Sequence, residues 1–572
     1  MQKRRKSYRV FESKSNSNKR ITTLFVLFVL VSGAISARLY YLQIIKGDEY
    51  SAFAKGIYIG GQDYTPPRGD IYFQDKTGEA TYLVATNKES PFIYADPKEV
   101  NDSQYILNEI SKIVEINQED YSVILDRLQN QNSSYALIKK QISLEEKDAL
   151  EKLQLPGVYI KNELVRVYPA GEVGSTVLGF LGFNEEDRKG QYGIEEYYQN
   201  LLSGSALGSA NYELLSDSSL EAADIELTID YGIQFVVERK LQELLENLDA
   251  DLASAIFMNP RTGEILAMAQ RPGFDPNNYS DVENINVFKN NLVQSVYELG
   301  SVFKPITMAA AIDAGVITPQ TVYNDTGSVR IGGYTISNFD GKARNLQTMT
   351  EVLEKSLNTG AIFAQQQLGK KKFRDYLEAF QFDKLTGIDI LGEVAGNMQS
   401  IKTANRDIDF ATSSFGQGIS FSPLRFLTSV AAIANEGKIM RPFLVKKVIK
   451  DGQEISTEPK VLAQPVTSLT ASRVAAMMVS VVDNSFDRKA AVPGYSVAGK
   501  TGTAQIPNKD SSGYSDQTIH SIVGFAPAYD PVFIGIIKVD NPHGIRFAAD
   551  SVTPTFREIA SFILQYYKVP PQ

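Results

Sequence analysis

Ser301-Val302-Phe303-Lys304 sets a hydroxyl and an amine three residues apart, one helical turn, so both lie on one face. An amine that close can take the hydroxyl proton and turn the serine into an acyl-transfer nucleophile. The same letters also describe a plain helix start, with Ser301 as cap and Pro305 in the first turn. It is the chain's one Ser-x-x-Lys. Cysteine is absent, so thiolate chemistry is excluded, and two histidines, His520 and His543, offer little to a metal site or a Ser-His-Asp triad.

Two further motifs follow in order. Ser356-Leu357-Asn358 lies 55 residues after Ser301, and Lys500-Thr501-Gly502-Thr503 a further 144 residues on. Singly they are weak, since Ser209-Ala210-Asn211 and Lys76-Thr77-Gly78 repeat the same letters. Together they offer groups that acyl transfer can use: two hydroxyls, two amines and a carboxamide. Lys304 can be the base only when neutral, and both burial and a second cation such as Lys500 lower a lysine pKa.

The elements around the motifs suit that task. SVFKPITMAAAIDAG reads as an apolar, buried helix opened by Ser301. Ser356 follows the helical stretch TEVLEKSLNTG, and Lys500 is expected to end a strand beginning near Tyr495. IELTIDYGIQFVVERKLQELLENL predicts a strand and a long amphipathic helix, and SAIFMNPRTGEILAMAQ a hairpin. VPGYSVAGKTGTAQI, TIHSIVGFAPA and VFIGIIKVDNP predict three antiparallel strands, and VTPTFREIASFILQYYKV a closing helix. The class is therefore α/β (α+β), an antiparallel sheet between helices.

The 572 residues require more than one core. Residues 1–20 carry eight Lys/Arg against one Glu, so the rest is more acidic than the overall charge of −9 and a poor match for nucleic acid. Ile21 to Ala37 is uncharged, and Arg38, Tyr40 and Tyr41 follow as interfacial residues. This predicts an uncleaved single-pass anchor with the basic tail in the cytoplasm; Ala34-Ile35-Ser36 supports the rival reading of a cleaved signal. The expected division is a tail at 1–20, a transmembrane helix at 21–43, a mixed α+β region and linker at 44–225 and a catalytic domain at 226–572. Residues 102–155 read as solvent-facing helices, VYIKNELVRVYPAG and VGSTVLGFLGF as strand-like runs, and Leu214 to Asp224 as the linker. Arg68-Gly69-Asp70 reads as a turn with an ion pair, Gly416-Gln417-Gly418 as a loop edging the site, and both histidines as structural or exposed.

With its order intact, the trio resembles that of class B penicillin-binding proteins, membrane-anchored peptidoglycan transpeptidases. PPRGDIYFQDKTG, RVYPAG, VLGFLGF and QYGIEEYYQNLLSG are similar to that family's elongated non-catalytic pedestal. LTIDYGIQ, NPRTGEILAMA, YELGSVFKP, LTGIDILGEVAG, FGQGISFSPL, VAGKTGTAQ and VGFAPAYDP are similar to its catalytic domain. AAVPGYSVAGKTGTAQ with SIVGFAPA lies closer to the septal, division-type branch. Leu299 stands where the family usually has proline and Val302 where threonine is common; neither is a catalytic group. VVDNSFDRKAAVPG replaces a glycine-rich segment, which alters loop shape and not chemistry.

The resemblance implies a Ser301 acyl-enzyme with Lys304 as base and Ser356 as relay. It places Asn358 on the donor amide, Lys500, Thr501 and Thr503 on the terminal carboxylate, and the oxyanion on the backbone N–H groups of Ser301 and Thr503. Gly502 would let substrate lie close as an added strand. It implies peptidoglycan stem peptides as substrates, β-lactams as inhibitors, no cofactor and no metal. Partners would be a membrane-embedded glycosyltransferase and division or elongation proteins, with the catalytic domain outside the cytoplasmic membrane. The competing readings are an elongation enzyme, a carboxypeptidase or β-lactamase-like hydrolase, a β-lactam sensor and a catalytically silent scaffold.

Overall fold

The computed structural model describes residues 67–76, 80–184, 187–204, 222–403, 406–484, 488–508 and 513–571, with scattered helical positions between 25 and 40. The expected tail, much of the expected anchor and most of the expected linker lie outside the described residues, as do Thr77, Gly78 and Ser209-Ala210-Asn211. Among the described residues no helix is long and apolar enough to cross a membrane. The elements below all belong to one compact unit, Pro67–Ser203 with Ala222–Gln572.

Arg68-Gly69-Asp70 leads straight into β1 (Ile71–Gln74), which pairs antiparallel with β2 (Thr81–Ala95). The region between Ser103 and Leu153 holds α1 (Ser103–Ser111), α2 (Gln118–Gln129), β3 (Ala136–Lys139) and α3 (Leu144–Leu153). Each helix starts where an Asp, Asn or Ser side chain accepts a first-turn N–H: Asp102, Asn117 and Ser143. The solvent-facing reading of these helices holds for one face only. Ile106, Leu107, Ile110, Ile124 and Leu128 close a core over Ile93, Ala95 and Ile138. β3 was not anticipated, and neither was the short helix Ser175–Leu178 inside VGSTVLGFLGF, bracketed by Gly174 (φ 76°) and Gly179 (φ 72°). β4 (Val158–Val167) lies antiparallel on β2, and β5 (Asp224–Asp230) parallel to β1.

Asp230 caps α4 (Tyr231–Leu248) by accepting from Ile233 N at 3.0 Å. The expected hairpin follows as β6 (Leu252–Met258) and β7 (Ile265–Arg271). After it come α5 (Lys304–Asp313), β8 (Val322–Asp325), β9 (Ser328–Ile331), β10 (Tyr334–Ser337), β11 (Asn345–Thr348), α6 (Met349–Glu354) and α7 (Asn358–Leu368). α8 (Pro423–Ala434) is buried at every residue, and α5 at every residue but Asp313. β12 (Val445–Lys450) and β13 (Gln453–Ser456) return to the first sheet, whose order is β13-β12-β5-β1-β2-β3 with β4 also on β2. The boundary at 225/226 thus falls inside β5.

α9 (Ser468–Asn484), β14 (Ala498–Pro507), β15 (Tyr514–Ala526), β16 (Phe533–Asp540) and α10 (Ala548–Tyr566) complete the chain. The second sheet runs β14-β15-β16-β6-β7 and is antiparallel throughout. Ile233, Val237 and Leu241 of α4 and Val552, Phe556 and Ile559 of α10 join one core with Ala255, Phe257 and Ile537 of the sheet. The expected ion pair at Arg68 exists, but with a distant partner. Glu195 is fully buried, with Arg68 Nε at 2.5 Å and Arg166 Nε at 2.8 Å.

Candidate active site

Ser301 sits in the 3-10 turn Gly300–Phe303 that runs into α5. Gly300 has φ 61°, in the left-handed region that favours glycine, and donates its N–H to the Gly416 carbonyl at 3.0 Å. The Gly416–Gly418 loop therefore edges the nucleophile, as read from the sequence. Glu298 fixes the same rim: its carboxylate accepts from Gly418 N at 3.1 Å and from the Tyr514 hydroxyl at 2.9 Å. Burial raises the Glu298 carboxyl above its ordinary pKa.

Lys304 is completely buried, one turn on from Ser301. Its Nζ lies 2.9 Å from Ser301 Oγ, 2.6 Å from the Ser356 carbonyl and 3.2 Å from Ser356 Oγ. Burial, followed by the charge of Lys500, pushes its pKa well below that of a free lysine. Lys500 Nζ reaches the same hydroxyl, Ser356 Oγ, at 3.0 Å and the Thr501 carbonyl at 3.0 Å. Burial lowers Lys500 to about 7.

Ser356 stands in the αL region at φ 53°, where a residue with a Cβ is uncommon and the cost is on the order of 1–3 kcal/mol. This backbone geometry presents both its carbonyl and its hydroxyl to Lys304. Asn358 opens α7, and its Nδ2 donates to the Ser337 carbonyl of β10 at 3.0 Å. Among the described residues no hydrogen bond joins Asn358 to Lys304.

Lys500 is the third residue of β14 rather than the end of a strand from Tyr495, because Tyr495 N closes a turn onto Val492 O before the strand starts. β14 is the edge of its sheet, with Thr501 opposite Ile522, Gly502 opposite Ser521 and Thr503 opposite His520 on β15. Gly502 has a structural reason besides the one expected. A Cβ there would meet Leu299 O at 3.0 Å and Val302 N at 3.1 Å, so its hydrogen makes room for the Ser301 turn. Thr503 Oγ1 accepts from Ala548 N, the start of α10, at 3.1 Å. His520 is buried, with Nδ1 2.8 Å from Ser551 Oγ, and burial pushes it to about 4, so it is neutral. His543 is exposed.

Two amines, Lys304 and Lys500, thus meet at the Ser356 hydroxyl, and Lys304 links it to the Ser301 hydroxyl, with the edge strand beside them. Sequence reasoning missed Glu298, Tyr514 and the Ser337 carbonyl. SVRIGGYTIS carries a Gly-Gly turn between two short strand-like runs, which marks that hairpin.

Residues 253–561 match the transpeptidase domain of penicillin-binding proteins, and residues 63–219 match the penicillin-binding protein dimerisation domain. Stage V sporulation protein D of Bacillus subtilis is 32% identical over 98% of this chain and 88% of its own. Peptidoglycan D,D-transpeptidase FtsI of Escherichia coli K12 is 29% identical over 96% of this chain and 92% of its own. A crystal structure of penicillin-binding protein 3 from Mycobacterium tuberculosis, complexed with aztreonam, matches with a TM-score of 0.68 and 25% identity, covering 88% of this chain and 98% of that one.

Proposed function

The chain belongs to the penicillin-binding protein transpeptidases, and from that footing we propose that it cross-links peptidoglycan stem peptides through a Ser301 acyl-enzyme. The observation that carries the reading is the buried Lys304 Nζ at 2.9 Å from Ser301 Oγ. A neutral amine there accepts the Ser301 proton as the oxygen attacks the donor peptide's penultimate D-alanyl carbonyl. Backbone N–H groups of Ser301 and Thr503 receive the developing oxyanion. Ser356, within hydrogen-bond distance of both lysines, passes a proton from Lys304 to the departing D-alanine amine. The acceptor strand's amine then attacks the acyl-enzyme, its proton returns by the same relay, and Ser301 is released.

Lys500, Thr501 and Thr503 hold the donor's terminal carboxylate, a cation with two hydroxyls against an anion. Asn358 reads the donor's amide, and the free edge of β14 accepts the peptide as an added strand. β-Lactams, which the aztreonam complex of the M. tuberculosis protein contains, would acylate the same oxygen. A labelled penicillin attaches covalently to the wild type and not to Ser301→Ala; equal labelling of both sinks the reading. Product analysis with an acceptor amine separates transfer from the hydrolysis of a carboxypeptidase or β-lactamase.

The likeness to FtsI and the VAGKTGTAQ and SIVGFAPA segments favour work at the division septum, so depletion should give filaments; round cells would indicate elongation. The likeness to stage V sporulation protein D supports a second reading, for which depletion would spare growth and block spore formation. Residues 21–43 would anchor the chain, with residues 44–225 as pedestal and linker, 226–572 as transpeptidase domain, and a glycosyltransferase and division proteins as partners. Alkaline extraction that leaves the intact protein in the membrane fraction tests the anchor.

A further inference from the structure

Asp325, at the end of β8, is 1% exposed and has no ion-pair partner among the described residues. A buried carboxylate without a counter-charge is costly unless hydrogen bonds replace its hydration. Here they do. Oδ1 accepts from Thr359 Oγ1 at 2.7 Å, Asn338 Nδ2 at 3.0 Å and Gly327 N at 3.1 Å. Oδ2 accepts from Asn338 Nδ2 at 3.1 Å and Arg344 N at 3.0 Å. Bonds to an ionised acceptor are roughly twice as strong as neutral ones. The donors come from the turn before β9, the loop after β10 and the first turn of α7. The carboxylate also sits at the N-terminus of α7, where a negative charge is favoured.

Two of these donors adjoin the site. Asn338 follows Ser337, and Thr359 follows Asn358. Thr359 N donates to Asn338 Oδ1 at 3.3 Å, and the next rung outward is Asn358 Nδ2 to the Ser337 carbonyl at 3.0 Å. The hub therefore sets the separation of Ser337 from Asn358. That contact consumes one amide hydrogen and leaves Oδ1 on the opposite edge of the amide plane.

We propose that Asp325 is a positioning residue for Asn358: its carboxylate locks the β9–β10 hairpin to the start of α7 and so fixes how the Asn358 amide is presented to the cleft. This rests on the reading of Asn358 as the group that binds the donor amide. Asp325 makes no hydrogen bond to Ser301, Lys304, Ser356 or Lys500 among the described residues, and its hydrogen-bonded route to the cleft runs through Asn338 and Thr359 to Asn358.

The test uses the full-length protein and labelled benzylpenicillin, following both the rate constant of acylation and the fraction of protein labelled. Asp325→Asn should lower the second-order rate constant by about 10- to 100-fold, as small misplacements of a site group do. Thr359→Val should lower it less, and Thr359→Ser should restore it. In an Asn358→Ala background, Asp325→Asn should remove no more than about a further twofold, because groups acting through one another are not additive. A wild-type rate constant in both Asp325→Asn and Thr359→Val, with only the labelled fraction reduced, would overturn the proposal. So would losses that multiply in the double variant. Failure of the parent reading looks different: the wild type would not label, or Ser301→Ala would.

Discussion

Lys304 and Lys500 meet at one hydroxyl: Ser356 Oγ lies 3.2 Å from the first Nζ and 3.0 Å from the second. Two ammonium groups this close and this buried cannot both stay charged. Burial and then the charge of Lys500 drive Lys304 down, and burial lowers Lys500 to about 7. Geometry favours the proposed roles: Lys304, whose Nζ reaches Ser301 Oγ at 2.9 Å, as the neutral base, and Lys500 as the cation that meets a carboxylate.

Acylation should follow a bell-shaped pH profile. On the acid limb the rate rises with pH as Lys304 loses its proton. On the alkaline limb it falls as Lys500 loses its own, through about 7 in the free enzyme. The free-enzyme limb appears in kcat/KM and the complex's limb in kcat. A bound carboxylate stabilises the Lys500 ammonium, so the kcat limb should lie at higher pH than the kcat/KM limb. The two lysines are coupled, so the limbs belong to the pair. Profiles with a depsipeptide or thioester donor check this; a rate unchanged across neutrality would contradict it.

Lys304→Met should abolish acylation yet leave the fold as stable or more so. A lysine whose folded pKa lies below its unfolded value binds more protons when unfolded, so stability rises with pH between the two values. At neutral pH the buried amine therefore subtracts from stability, and methionine of similar length removes that cost. The expected loss of rate is at least about 10²- to 10⁴-fold, the usual contribution of a general base. The expected change in Tm is zero or a rise on the order of 2 °C. Thermal melting with labelling checks both; a marked drop in Tm would show that the amine stabilises the fold.

The three motifs were legible because each is a short run with a chemical reason for its letters. The order of strands after Val497 was legible because each is apolar and bounded by turns. What escaped the sequence is long-range. Asp325 and Thr359 are 34 residues apart, and Glu298 and Tyr514 are 216 apart, and no local pattern pairs them. The packing reason for Gly502 was not legible because the turn that presses on it lies two hundred positions upstream. The pedestal sheet takes β12 and β13 from the catalytic half, and composition alone cannot reveal such a return.

Gly502→Ala should slow acylation without unfolding the protein. The added Cβ would stand 3.0 Å from Leu299 O and 3.1 Å from Val302 N, tighter than backbone atoms tolerate unmoved. Relief requires β14 and the Ser301 turn to separate by a few tenths of an ångström. That displaces Ser301 from Thr503 and its proposed oxyanion N–H. A loss of about 10- to 100-fold is expected, with the larger figure for a full ångström. Stopped-flow acylation measures it, and a wild-type rate would show that the turn is free to yield.

Glu195 tests the pedestal independently of the chemistry. Burial alone would raise its carboxyl, but Arg166 and Arg68 outweigh it and hold the pKa below the ordinary value. Arg166 Nε at 2.8 Å, Arg68 Nε at 2.5 Å and the Tyr168 hydroxyl at 3.1 Å all converge on it. A depressed folded pKa contributes stability that is complete above the unfolded value and lost as pH falls through the folded one. Glu195→Gln should remove that acid sensitivity. Glu195→Ala strands two buried guanidiniums and should cost roughly 3–5 kcal/mol. Ser301 belongs to the other sheet's neighbourhood, so the protein that remains folded should be acylated at the wild-type rate while less of it is labelled. Urea unfolding across acid pH, paired with labelling, separates the two effects. A Glu195→Ala protein as stable as the wild type would mean that the arginines find other partners, and the claim that one carboxylate holds this junction would fall.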